Sequence, residues 1–111
     1  SFTHQGAEFF EPMPPAGTHW GTKAEIAVAT ADFDRAATFR DLHDQPLLLG
    51  EFGAFDAAPM EDRVRWTRTV RKLAEKNDFG WCHWGFSSNF RAYDPEKEAW
   101  IEPIRAALLD D

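Results

Sequence analysis

Residues 47–53 read Leu-Leu-Leu-Gly-Glu-Phe-Gly, and this stretch decides the fold prediction. An apolar run without polar alternation is typical of a strand buried on both faces, as in a parallel sheet. A helical pattern follows from about Met60 to Asn77, where Trp66, Val70 and Leu73 fall on one face. The stretch therefore predicts a buried strand that leads into an amphipathic helix.

A second short apolar stretch, residues 80–86, follows this helix. Strand, helix and strand together predict a parallel βαβ unit. Further helices are predicted from Asp32, as N-cap, to His43 and over Glu102–Leu109, whereas the Pro- and Gly-rich residues 1–22 are predicted to be irregular. Because two strands cannot make a parallel sheet that is covered on both faces, the chain is expected to be part of a larger α/β fold.

Composition excludes several classes of function. The 111 residues carry 12 basic and 19 acidic side chains, and a net charge of −7 argues against a nucleic-acid partner. No apolar run is long enough to span a membrane. The single cysteine, Cys82, is predicted to be buried and inert, and the four histidines have no metal-ligand spacing, so we predict neither metal nor cofactor. The basic residues within 63–72 are predicted to form a solvated helix face.

Glu51 is the first candidate for chemistry. It lies at the carboxyl end of the predicted strand, where parallel α/β folds build their active sites. Gly50 and Gly53 leave space around it, and a carboxylate held there serves as nucleophile, general acid/base or metal ligand. The alternative is a glutamate that simply reaches solvent where the strand ends.

Trp84 occupies the corresponding end of the second strand. Trp81 and Trp84 are three residues apart and are expected to face opposite sides of that strand. An exposed indole beside the Glu51 carboxylate suits a sugar, because the ring stacks on the apolar face of a pyranose while the carboxylate acts on the anomeric carbon. The alternative is that both tryptophans are core residues.

The irregular segment, residues 1–22, carries more aromatic and histidine side chains than a solvated loop needs. These side chains are His4, Phe9, Phe10, His19 and Trp20. Two interpretations remain open: a loop packed over the core, or a loop that lines a cleft. Under the second interpretation Trp20 is a candidate substrate-binding residue.

Several segments together resemble the C-terminal part of glycoside hydrolase family 5 cellulases. The similarity covers nearly all 111 residues in the right order, and the first two segments are specific in combination. The segments are Phe-Thr-His-Gln-Gly-Ala-Glu at 2–8, Pro-Leu-Leu-Leu-Gly-Glu-Phe-Gly at 46–53, Arg-Val-Arg-Trp-Thr at 63–67, Trp81 with Trp84, Tyr93-Asp94, and Trp100.

The resemblance implies a partial glycoside hydrolase catalytic domain over residues 1–111, namely the C-terminal portion of a TIM (β/α)8 barrel. The chain would supply the end of the sixth unit and the strands and helices of units seven and eight. Glu51 matches the nucleophile and Trp84 the tryptophan beneath the sugar, while His4 and Gln5 match a loop beside the cleft. The implied activity is retaining hydrolysis of β-1,4-glycosidic bonds in β-glucan or cellulose, by a secreted enzyme, with mannan or xyloglucan as alternative substrates.

The chain also departs from the family pattern. The family's acid/base glutamate follows an asparagine, and no Asn-Glu pair occurs here. A complete barrel takes about 250 residues. We therefore expect the chain to be inactive alone and to require the N-terminal segment of the barrel as its partner. The rival interpretations are a non-catalytic carbohydrate-binding module and a structural half-barrel fragment without a function of its own.

Overall fold

The computed structural model describes all residues, 1–111, as three helices and four strands. In chain order these are α1 (Lys23–His43), β1 (Leu48–Phe52), α2 (Met60–Lys76), β2 (Gly80–His83), β3 (Tyr93–Asp94), β4 (Ala99–Trp100) and α3 (Glu102–Leu109). Residues 1–22 contain neither helix nor strand, as predicted. None of the three helices combines the length and the apolar character that crossing a membrane requires.

The unit β1–α2–β2 has the predicted parallel topology. Leu48 pairs with Gly80 and Leu49 with Trp81, but the next pair joins Phe52 to His83. Three residues of β1 thus span the distance of two residues of β2, which places a β-bulge at Gly50 and Glu51. The bulge interrupts the strand one residue before its carboxyl end.

The main core lies between the sheet, α2 and α3. Its buried members are Phe52, Val70, Ala92, Ile104 and Leu108. The apolar stripe of α2 faces this core, and α3 begins with Glu102 and ends at Leu109 as predicted. Burial of these side chains makes the main favourable contribution to the free energy of folding of the sheet with α2 and α3.

The prediction that β1 is buried on both faces is wrong for this chain. Leu48 is 65% exposed, and Gly50 and Glu51 are also exposed. The physical reason is that the main core, to which α2 and α3 contribute, covers only one face of the sheet. In addition, a sheet of two strands leaves one edge of each strand unpaired. Cys82 on β2 is exposed for the same reason, which corrects the expectation of a buried thiol.

Helix α1 begins earlier than the sequence predicted. Asp32 lies inside the helix, and the N-cap is Thr22, whose hydroxyl accepts a hydrogen bond from the Glu25 amide. The Glu25 carboxylate accepts in return from the Thr22 amide at 2.9 Å, which completes a capping box. The predicted end at His43 is correct, and none of the residues of α1 is buried.

The hairpin formed by β3 and β4 was not predicted, because two-residue strands carry too little alternation to be recognised. Tyr93 pairs with Trp100 across it. The Tyr93 ring also stacks on Phe86 with centroids 5.0 Å apart, so the hairpin packs on the segment that follows β2.

The predicted solvated basic face of α2 is wrong at two positions, Arg63 and Arg71. Arg71 is 3% exposed and donates to the Ala107 carbonyl at 3.1 Å, the Asp110 carbonyl at 2.6 Å and the Glu75 carboxylate at 2.9 Å. Carbonyl groups at a helix C-terminus lack partners within the helix, and a long cationic side chain satisfies them. Arg71 therefore fastens the end of α3 to α2.

We expect Arg71→Met to loosen α3. The lost charged hydrogen bonds correspond to about 2 kcal/mol of opening free energy, or roughly thirtyfold faster amide exchange in residues 102–109. Hydrogen exchange followed by mass spectrometry measures this directly. Arg68→Met, on the same helix, is the matched control and should leave exchange in α3 unchanged. Equal exchange in both variants would contradict the assigned role of Arg71.

Candidate active site

A cleft of about 620 Å³ opens at the carboxyl ends of β1 and β2 and extends past Leu49 and Val70 to α1. It contains both residues that the sequence singled out most strongly, Glu51 and Trp84. The complete lining is Thr3, His4, Phe9, Ala29, Asp32, Phe33, Leu49, Glu51, Phe52, Gly53, Trp66, Val70, Trp84 and Phe90.

The β-bulge explains why Glu51 faces the cleft. Leu49 and Phe52 both pack on the main core although they are three residues apart, which strict alternation along a strand would not allow. The extra residue absorbs the difference, so that Gly50 and Glu51 lie exposed between the core-facing Leu49 and Phe52. Bulges often redirect side chains next to active sites. Within residues 1–111 no side chain or backbone group forms a hydrogen bond or an ion pair with the Glu51 carboxylate.

Trp84 is held next to β1 through its backbone, while its side chain is 57% exposed. The Trp84 amide donates to the Phe52 carbonyl at 2.8 Å. A Cβ atom at Gly53 would overlap the Trp84 carbonyl oxygen, so only glycine permits this approach. The peptide bond between Trp84 and Gly85 is cis. Trp81 packs against the main core instead, which agrees with the expectation that the two indoles face opposite sides.

Residues 1–22 contribute His4 and Phe9 to the cleft. The His4 ring meets the Phe90 ring edge-on, with centroids 5.7 Å apart, and its Nδ1 lies 2.9 Å from the Thr3 hydroxyl. Phe9 is 61% exposed and lines the same cleft. The sequence grouped Phe9 with the aromatic residues of this segment but did not select it as a site residue. Phe9 lies between Glu8 and Phe10 in a segment without helix or strand periodicity, so its exposure could not be predicted from the sequence.

Gln5 and Trp20 lie outside this cleft. The Gln5 side chain is completely buried, and its amide donates to the Phe2 and Thr18 carbonyls and accepts from the Gly17 and Thr18 amides. These four hydrogen bonds occupy the amide in holding residues 1–22 together. Trp20 lines a separate depression and packs near Phe2, with ring centroids 6.4 Å apart.

Two titratable groups outside the cleft lining have perturbed pKa values. Burial, aided by the positive charge of Arg63, lowers the pKa of His83 to about 4, against an opposing hydrogen bond with the Gly85 backbone. The buried Asp62 is disfavoured as an anion by desolvation, yet hydrogen bonds from His19 and Arg65 outweigh that cost and lower its pKa. The His19–Asp62 contact, 2.6 Å long, also ties residues 1–22 to α2.

No group of three or more His, Cys, Asp or Glu side chains in residues 1–111 is arranged to hold a metal ion. Besides Glu51, the acid in the cleft lining is Asp32 on α1, and Asp32 forms an ion pair with Arg35 one turn further along the helix.

Parallel strands that alternate with helices, and that end in a carboxylate and an exposed indole at one common edge, fit a portion of a TIM barrel, which builds its active sites at that edge. Comparison with solved structures confirms that fold and the resemblance to the C-terminal part of family 5 glycoside hydrolases.

The chain is similar to an endoglucanase with 40% identity and a TM-score of 0.95, covering 99% of this chain and 36% of the endoglucanase. A hyperthermophilic endo-β-1,4-glucanase, solved in complex with substrate, matches with 39% identity, a TM-score of 0.95 and the same coverage. Cel5A of Thermotoga maritima, solved with cellobiose, matches with 32% identity and a TM-score of 0.91 over 97% of this chain and 35% of that protein. The same Thermotoga protein has also been solved with mannotriose.

The chain thus spans about a third of the length of these relatives. No protein-family model and no curated protein sequence matches it.

Proposed function

We propose that this chain forms part of the active site of a retaining glycosidase that cleaves β-1,4 bonds in β-glucan, with Glu51 as the nucleophile. The observation that carries the proposal is the shared cleft, into which β1 brings a carboxylate and β2 brings an exposed indole. The similarity of the chain to endoglucanases supports a carbohydrate substrate. By the same resemblance, we propose that the enzyme is secreted.

Under this proposal the reaction runs in two steps. The ionised carboxylate of Glu51 attacks the anomeric carbon while an acid protonates the departing glycosidic oxygen, and a covalent glycosyl-enzyme forms with inverted configuration. Water, deprotonated by the same acid/base group, then releases the sugar with net retention. The two carboxyl groups of a retaining enzyme stand about 5–5.5 Å apart, which leaves no room for a water molecule between them.

Trp84 is assigned the floor of the subsite beside Glu51, because its exposed indole offers a flat apolar surface for a pyranose. His4, which lines the same cleft, is assigned a polar contact with the sugar. The buried amide of Gln5 acts on the substrate only indirectly, by keeping residues 1–22 in shape. Trp20 lies outside the cleft, and we now propose no direct sugar contact for it.

The acid/base group must come from another part of the barrel. Asp32 is unsuited to that task, because it projects from the middle of α1 and is paired with Arg35. We propose that the N-terminal segment of the barrel is the partner that carries this group. That segment would cover the open edge of β1, the exposed Leu48 and the unburied α1.

A hybrid barrel tests both parts of the proposal. The first two thirds of the endoglucanase that is 40% identical to this chain are fused to residues 1–111, and the hybrid and the isolated chain are assayed on soluble β-1,4-glucan. We expect turnover by the hybrid and none by the isolated chain, since one carboxylate cannot complete the cycle. Turnover by the isolated chain that is lost in Glu51→Gln would refute the need for a partner.

A non-catalytic carbohydrate-binding role is favoured by one observation, the single unpaired acid in a cleft rich in aromatic side chains. Under that alternative, a well-folded hybrid binds oligosaccharides but does not hydrolyse them. Assays on β-glucan and on mannan, run side by side, separate the glucan proposal from the mannan alternative.

A further inference from the structure

Three loops meet at the carboxyl ends of β1 and β2, and backbone hydrogen bonds join one of them to the other two. Loop A comprises residues 1–22, loop B residues 53–59 and loop C residues 84–92. In loop B the Phe55 amide donates to the Thr3 carbonyl of loop A at 2.9 Å, and the Asp56 amide donates to the Asn89 carbonyl of loop C at 2.7 Å. Loop B is therefore hydrogen-bonded to both of the other loops that border the cleft.

The side chain of Asp56 strengthens the junction between loops B and C. Its Oδ2 accepts a hydrogen bond from Arg91 Nε at 2.8 Å. Its Oδ1 lies 3.2 Å from Arg63 Nη2 and has no hydrogen-bond partner, so that contact is purely electrostatic. Arg63 Nη2 donates instead to the Arg91 carbonyl at 3.1 Å. The three side chains of Asp56, Arg63 and Arg91 form what we call the loop clamp.

Arg63 anchors the loop clamp to the rigid part of the fold. It lies in the first turns of α2 and is 4% exposed, although it carries a charge. Desolvation lowers its pKa and the nearby Arg91 adds to the effect, whereas the charge of Asp56 opposes it. A buried guanidinium is costly unless a carboxylate compensates it, so Asp56 and Arg63 depend on one another.

Loop C connects the loop clamp to Trp84 over a short path. The Ala92 and Tyr93 amides both donate to the Phe86 carbonyl at 2.9 Å, which closes the loop two residues after Trp84. On the other side, the Trp84 amide is fixed to Phe52. The backbone on both sides of Trp84 is therefore fixed. At one end it is held by β1, and at the other by the Ala92 and Tyr93 amides, which follow directly after Arg91 of the loop clamp.

From this geometry we propose that Asp56, together with Arg63 and Arg91, is a positioning residue that sets the orientation of the Trp84 indole in the cleft that also contains Glu51. The expected effect on catalysis rests on the proposed function. The orientation of the Trp84 indole does not, because it can be measured in the chain without any reaction. None of the three clamp residues lines the cleft, so they act through Trp84 rather than on the sugar.

The test separates orientation from activity. The full 111-residue chain is labelled with 5-fluorotryptophan, and the ¹⁹F resonance of Trp84 is assigned with Trp84→Phe. We expect Asp56→Asn and Arg91→Gln each to shift or broaden the Trp84 resonance, while Trp66 and Trp81 keep theirs. Asp56→Glu, which restores the charge, should move the resonance back towards its original position. Glu102→Gln removes the ion pair between Glu102 and Arg105 on α3 and should leave the Trp84 resonance unchanged.

In the hybrid barrel, Asp56→Asn should lower kcat about tenfold, with a much smaller change in KM, where kcat is calculated per active site counted by covalent labelling. The reason is that a slightly misplaced Trp84 indole misaligns the sugar and reduces the rate of attack. An unchanged Trp84 resonance in Asp56→Asn and Arg91→Gln would overturn the inference, whether or not the hybrid is active. A shifted resonance in an inactive hybrid would support the loop clamp and count against the proposed function instead. If Asp56→Asn unfolds, so that Trp66 and Trp81 shift as well, Arg91→Gln and Asp56→Glu decide.

Discussion

In the hybrid barrel, Glu51→Gln is expected to lower kcat at least about a thousandfold, which corresponds to roughly 4 kcal/mol of lost transition-state stabilisation. The amide nearly matches the carboxylate in shape but has no negative charge with which to attack the anomeric carbon. Initial rates on soluble β-1,4-glucan measure the loss. Binding of oligosaccharide should persist, because the indole and the cleft walls are unchanged.

The control for this variant is Glu61→Gln, an exposed glutamate at the start of α2 and outside the cleft lining. Its kcat should equal that of the parent hybrid. A 2-fluoroglycoside, which slows breakdown of the glycosyl-enzyme, should label one residue per chain, and peptide mass analysis should locate the label at Glu51. Label on another residue, or a Glu51→Gln hybrid with parental kcat, would exclude Glu51 as the nucleophile.

Trp84→Ala in the hybrid is expected to lower kcat/KM by about ten- to a hundredfold, since burying an aromatic ring against a ligand contributes roughly 1.5–3 kcal/mol. Trp84→Phe should retain part of the effect because a smaller flat surface remains. Steady-state kinetics on cello-oligosaccharides of increasing length provide the measurement.

Trp100→Phe is the matched control for Trp84→Phe, because Trp100 is also a partly exposed tryptophan but lies on β4 and outside the cleft. Its kcat/KM should stay at the parental value. If both substitutions reduce kcat/KM equally, the aromatic side chains act through stability, and the assignment of Trp84 to a sugar subsite is wrong.

The sequence predicted the positions of Glu51 and Trp84 at the strand ends better than it predicted which surrounding surfaces are exposed. The uninterrupted Leu47–Leu49 run, followed by Gly50 and Glu51, was enough to identify a parallel strand with a carboxylate at its end, and the second strand followed from its spacing. The β-bulge could not be predicted, because an extra residue in a pairing depends on the partner strand and leaves no mark in either sequence alone. The same holds for the contact between Gly53 and the Trp84 backbone.

Long-range pairing also explains the other differences. Arg63 and Arg71 match the polar face of an isolated helix, and only the positions of Arg91, Ala107 and Asp110 in the fold explain their burial. Gln5 was a site candidate by resemblance to a motif, although its hydrogen bonds to Gly17 and Thr18 show a scaffolding role. The start of α1 was within reach of the sequence, because Thr22 and Glu25 have the spacing of a capping box.

Helix α1 has a consequence for how the chain withstands proteases. Its 21 residues include none that is buried, and it packs mainly through Phe33 and Arg40 on Phe79, so its local opening costs less free energy than opening of α2, which carries buried residues. Arg35 and Arg40 along this helix are then accessible cleavage points for trypsin, whereas the arginines buried under α3 and the loops are sheltered. Where α1 is covered by the rest of a barrel, nicking at these two arginines would cease, and the cleavage pattern itself would report assembly.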